Sequence, residues 1–140
     1  MSYIIFYPNG NKWYRNDSGE LHREDGPAVV RSDGSKSWWL NGKLHREDGP
    51  AVISPGGHEE WHFHGELHRE DGPAMVHNDG RKWWYHYGLT HREDGPAVVL
   101  LNGVQQWYLG GRCINHKVAN FEELWSRLVI EYRVCEVIDS

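Results

Sequence analysis

Four identical heptapeptides, His-Arg-Glu-Asp-Gly-Pro-Ala, stand at His22–Ala28, His45–Ala51, His68–Ala74 and His91–Ala97, each 23 residues after the one before. A fixed period of this length limits the architecture severely. Each unit is a small supersecondary element that buries its apolar residues only by stacking on a copy of itself. The register of the repeat therefore governs how the rest of the chain is read.

The second unit shows the pattern. Ala28–Arg31 is β-prone, Ser32-Asp33-Gly34 turns the chain, and Ser35–Leu40 returns as a second strand before Asn41-Gly42. Turn glycines recur at Gly34, Gly57, Gly80 and Gly103, and again at Gly42, Gly65, Gly88 and Gly111. The expected fold is mainly β: a single-sheet antiparallel meander of about five stacked β-hairpins, roughly 45 Å long at ~4.8 Å per strand. A first, irregular unit starts with a strand at Tyr3–Tyr7 and returns at Lys12-Trp13-Tyr14. That first strand leaves edge-to-edge homodimerisation open.

The fifth unit loses its heptad, and the hairpin sheet (1–112) gives way to a helical cap and tail (113–140). Phe121, Leu124, Trp125, Leu128 and Tyr132 fall on one helical face, predicting a helix over 121–133 that packs on the last hairpin. Asn120 with Glu123 reads as a capping box. Cys135–Ile138 reads as a strand or a tail.

Comparing units separates two classes of position. Trp38, Trp61, Trp84 and Trp107 share one position, followed two residues on by Leu40, Phe63, His86 and Leu109, with Val30, Ile53, Val76 and Val99 on the first strand. These are expected to form the buried ladder. The opposite face varies: Trp39, His62, Tyr85 and Tyr108 at one position, Asn41, His64, Tyr87 and Gly110 at another, Ser37, Glu60, Trp83 and Gln106 at a third. A surface that is both aromatic and polar is the usual make-up of a recognition site. The expected binding residues are therefore Trp39, His62, His64, Trp83, Tyr85, Tyr87 and Tyr108.

The heptad itself reads as architecture. A catalytic centre is built once, whereas this string is built four times, so no catalytic residue is assigned. Asp-Gly-Pro is a turn sequence, and Arg23 is expected to pair with Glu47 or Asp48 of the next unit. The row Arg23, Arg46, Arg69 and Arg92 is the candidate for an anionic ligand. His58, His62 and His64 read as surface histidines, and no metal or cofactor is expected. With a net charge of −5 there is no polybasic footprint for nucleic acid or an anionic membrane. Two cysteines outside the repeats, Cys113 and Cys135, read as free thiols of a cytoplasmic protein.

The 23-residue hairpin unit, with an aromatic and a glycine at fixed places, resembles the MORN family, especially a variant found in bacterial proteins grouped with antitoxins. The heptad, preceded by Leu21, Leu44 and Leu67 in three copies, resembles repeats of small proteins encoded by bacteriophages and large viruses. The likeness covers residues 10–112. It implies a non-enzymatic interaction protein acting in the host cytoplasm. The expected function is a phage-encoded inhibitor that binds a host defence protein through the variable face. The alternatives are sequestration of a cyclic or linear nucleotide signal, and an antitoxin-like interaction.

Overall fold

The computed structural model describes residues 2–114 and 116–139. Tyr3–Phe6 pairs with Lys12–Arg15. Each later unit then adds two short strands: Val29–Val30 and Lys36–Ser37, Val52–Ile53 and Glu59–Glu60, Met75–Val76 and Lys82–Trp83, Val98–Val99 and Gln105–Leu109. With Arg112–Ile114 they form an eleven-stranded antiparallel meander in chain order. At ~4.8 Å per strand it extends about 50 Å. The meander expected from the repeat is thus the observed fold.

The second strand, expected to be continuous, is divided in two in the three inner units, while Lys12–Arg15 and Gln105–Leu109 stay whole. The breaks fall at Trp38, Trp61 and Trp84. There the tryptophan N–H leaves its own ladder and donates to an alanine carbonyl of the following heptad: Trp38 to Ala51 at 2.8 Å, Trp61 to Ala74 at 2.7 Å and Trp84 to Ala97 at 2.8 Å. Its carbonyl accepts from the histidine N–H of the same heptad, as in His45 to Trp38 at 3.1 Å. Beyond the break the chain enters an outer hairpin. Trp39–Leu40 pairs with Lys43–Leu44, His62–Phe63 with Glu66–Leu67, and Tyr85–His86 with Leu89–Thr90. These hairpins stack on one another through Gly65 N–H to Leu44 and Gly88 N–H to Leu67, at 2.8 and 2.9 Å. A second row therefore runs beside the sheet.

Cross-strand neighbours share a face, and the register aligns Val29, Ser37, Val52, Glu60, Met75, Trp83, Val98 and Gln106 in one row. This row contains the buried Val29, Ser37 and Val98. The opposite row holds Val30, Ile53, Val76 and Val99 among Lys36, Glu59, Lys82 and Gln105 and is the more exposed. In the main sheet the more buried row is therefore that of Ser37, Glu60 and Trp83, the reverse of the sequence-based expectation, whereas in the last unit Trp107 and Leu109 are packed inside as expected. The tryptophans are half-buried, and the most buried residues are the heptad alanines Ala28, Ala51, Ala74 and Ala97, each 0% exposed.

The helix runs Phe121–Asp139, longer than predicted and including Cys135 and Glu136, so that segment is neither strand nor tail. Asn120 has φ 57°, not the extended backbone of an N-cap, which displaces the expected capping box. The helix does pack on the last hairpin. Leu109, Trp125 and Val129 are buried together, with Trp107, Ile114, Phe121, Leu128 and Tyr132 around them. It substitutes for a missing unit. Trp107, which no heptad follows, receives Phe121 and Trp125 edge-on, each at 4.8 Å. Trp125 Nε1 donates to the Glu93 carbonyl at 2.7 Å. Tyr132 lies over Gly110, where a Cβ would approach the ring to 2.7 Å.

Trp125→Ala removes the centre of this cluster and is expected to cost about 3–5 kcal/mol in urea unfolding. A loss below about 1 kcal/mol would show that the helix is not part of the cooperative unit.

Candidate functional site: the heptad loops and the outer hairpin tips

The arginine, aspartate, proline and histidine of the heptad make the same contacts in every copy. The arginine lies on the aromatic ring at the strand break: Arg46 on Trp38 at 4.0 Å, Arg69 on Trp61 at 4.0 Å, Arg92 on Trp84 at 4.2 Å, and Arg23 on Tyr14 at 4.1 Å. Its Nε donates to the aspartate two residues on at 2.8–2.9 Å, and its Nη1 to the proline carbonyl four residues on at 3.2–3.4 Å. The expected pairing of Arg23 with Glu47 or Asp48 is thus corrected. The charge is satisfied inside its own loop, which is tight enough to bring Asp25 back onto the guanidinium. The glycine is needed for space: a Cβ at Gly49, Gly72 or Gly95 would sit 2.9 Å from the arginine Cζ.

The histidine joins one unit to the next. Nδ1 of His22, His45, His68 and His91 accepts the backbone N–H of Asn41, His64, Tyr87 and Gly110 at 2.9–3.0 Å. Those acceptor bonds place the ring proton on Nε2, which faces the glutamate two residues on at 2.9–3.7 Å. The same tautomer weakens the best candidate metal cluster. Ligand atoms of His68, Glu70 and His86 lie within 4.8 Å of one another, but His68 offers a lone pair only at Nδ1, already bonded to Tyr87. A ligating histidine needs the opposite arrangement, its second nitrogen donating.

The predicted binding residues fall into three groups. Arg23, Arg46, Arg69 and Arg92 are three-quarters buried and ion-paired. The shallow grooves between successive loops, about 820 Å³ for the one between the third and fourth, have a glutamate and an aspartate on each wall. Trp39, His62 and Tyr85, on the first strands of the outer hairpins, and Trp83 and Tyr108, in the main sheet, are half-buried or buried. Trp39 Nε1 donates to Ser37 Oγ at 2.7 Å, and Glu60 is held between His58 and His62 at 2.7 and 2.8 Å. The hydrogen bond from His62, more than that from His58, holds the Glu60 carboxyl below its usual range.

His64 and Tyr87 are separated from that group. They occupy the tips of the outer hairpins, with φ of 48° and 45°. Each ring lies against the histidine that holds its own N–H: His64 on His45 at 4.3 Å, and Tyr87 stacked on His68 at 3.9 Å. Leu89, across the same turn, is 51% exposed and Tyr87 is 49% exposed. Sequence comparison missed Leu89 as a surface residue. The signal for the turn was Asn41 and Gly110 at the position of His64 and Tyr87, two residue types that accept positive φ. No protein-family model, curated protein or solved structure matches this chain.

Two predictions follow from the loop geometry. Gly72→Ala should destabilise the protein by about 1–2 kcal/mol by lifting Arg69 off Trp61. In an Arg69→Ala background the same change should cost little, and equal costs in both would refute the contact. The hydrogen bond from arginine holds Asp25, Asp48, Asp71 and Asp94 below the ordinary aspartate value. Their stabilisation is therefore present above about pH 4 and lost as pH falls below it. Asp71→Asn should flatten the acid limb of the stability–pH curve in that range.

Proposed function

We propose that this chain is a non-enzymatic binding protein that engages a protein partner through the outer hairpin tips, centred on His64, Tyr87 and Leu89. The observation that carries this reading is the division of labour along the repeat. The reactive side chains of the heptad are engaged in loop and inter-unit contacts. The tips differ in every unit, yet their backbone is pinned by the heptad histidines. Tyr87 and Leu89 present the largest exposed apolar surface of the outer row. A rigid aromatic with an aliphatic neighbour is a typical anchor for a protein surface.

The phage-type resemblance makes a host defence protein the expected partner, met in a reducing cytoplasm where the exposed Cys113 and Cys135 stay free. A nucleotide is the less favoured ligand. Its phosphates would meet carboxylates on both walls of each groove, and the arginines are committed to their own aspartates.

The test replaces the fourth-unit tip by its second-unit equivalent, Tyr87→Asn with Leu89→Lys, residues the same turn already accommodates at Asn41 and Lys43. The variant should keep the wild-type melting temperature and lose at least tenfold in affinity for the partner recovered from host lysate. Equal affinity would move the surface elsewhere. A rise in melting temperature with micromolar nucleotide would favour sequestration instead.

A further inference from the structure

We propose that the four heptad histidines are acid-sensitive latches: protonation at Nδ1 breaks the bond each makes to the next hairpin tip and releases that tip amide, while the backbone-paired rows stay intact. The latches are His22 to Asn41, His45 to His64, His68 to Tyr87 and His91 to Gly110, each joining residues 19 apart. In each, a neutral nitrogen lone pair is the acceptor of a backbone N–H. Adding a proton there places one donor against another. Replacement by water is hindered, since these histidine side chains are only 6–18% exposed.

The surrounding charges oppose the break weakly. His22 faces Glu24, His45 faces Glu47 and the His64 ring, and His68 faces Glu70, His86 and Tyr87. Glu24, Glu47 and Glu70 are 71–85% exposed, so water screens much of their attraction for an imidazolium. His91 faces the better-shielded Glu93, with His86, Tyr132 and Glu136 nearby. Glu93 is itself paired to Arg133. Burial is the largest influence on His91 and lowers its pKa, outweighing the pull of Glu93. A histidine whose folded value is depressed contributes stability above its unfolded value, about 6.5, and loses it as pH falls further.

The bonds that hold the main sheet together at the tryptophan breaks are backbone to backbone and do not titrate. The backbone bonds that stack the outer hairpins, from Gly42, Gly65, Gly88 and Gly111, do not titrate either, so acid should release the four tip amides held by the histidines and leave both rows stacked. The inference rests on the proposed docking surface only in naming Tyr87 and His64 as the residues released. Its test needs no partner.

The experiment is nuclear magnetic resonance of the ¹⁵N-labelled full chain from pH 8 to pH 5. At pH 8 the four rings should show the Nε2-protonated neutral tautomer. At pH 5 the amides of Asn41, His64, Tyr87 and Gly110 should lose at least tenfold in hydrogen-exchange protection beyond the intrinsic pH effect, while those of Trp38, Trp61 and Trp84 keep theirs. His68→Asn supplies an acceptor that does not titrate, so the Tyr87 amide alone should stay protected at pH 5. An Nδ1-protonated tautomer at pH 8 overturns the proposal. So does unchanged protection at pH 5 in the wild type, loss of protection by all amides together, or loss at Tyr87 in His68→Asn. Failure of the docking surface would show only in the Tyr87→Asn, Leu89→Lys binding comparison and leaves these readouts intact.

Discussion

The stack depends on one contact, a guanidinium held between an aromatic ring and a glycine. Arg46 on Trp38 shows its parts: the ring at 4.0 Å, Asp48 on Nε at 2.8 Å, the Pro50 carbonyl on Nη1 at 3.2 Å, and Gly49 beneath with no room for a Cβ. A hairpin of two-residue strands cannot bury a conventional core. Among the described residues, no large side chain is less than 2% exposed. The arginine supplies the missing cover for the tryptophan, and its charge is neutralised within the same loop. An arginine so enclosed is suited to the place by its planar, weakly hydrated head; a lysine would match neither the stacking nor the forked hydrogen bonding.

The helix shows the same requirement from the other side. Where no heptad follows Trp107, Phe121 and Trp125 take over the ring, and Tyr132 packs tilted against His91 at 4.9 Å. In the inner units that place against the histidine belongs to the tip residue, His64 or Tyr87. Gly110 leaves it empty at the last turn, and Tyr132 fills it. The cap is thus a set of aromatic replacements for one absent repeat, which explains why the hydrophobic cluster gathers at this end of the molecule.

Much of this was legible in the residues. The 23-residue period, the hairpins, the order of strands and the terminal helix all follow from the repeat and from the spacing of Phe121, Trp125 and Leu128. The tryptophan break was not. Ser37-Trp38-Trp39-Leu40 reads as an alternating strand, and nothing in a single unit announces that the Trp38 N–H will be taken by Ala51 of another unit. The break starts an outer hairpin whose turn carries Tyr87 away from Tyr85. The partner of Arg23 was equally hidden. Glu47, Asp48 and Asp25 have the same charge, and the choice depends on how tightly the loop closes, a property of backbone geometry that residue types leave open. For the candidate surface, Tyr87 was visible as a variable aromatic, but its exposure and its stacking on His68 emerge only from the hairpin turn at φ 45°.

The most direct measurement of the central claim is the arginine side-chain Nε–H spectrum of the ¹⁵N-labelled protein at neutral pH. If each heptad arginine lies on an aromatic ring and donates Nε–H to its aspartate, the signals of Arg23, Arg46, Arg69 and Arg92 should be sharp, slowly exchanging and shifted upfield by the ring beneath. Averaged, rapidly exchanging signals at random-coil positions would mean that the guanidinium groups are free in solution, and the heptad would have to be read as a site rather than as the frame of the fold.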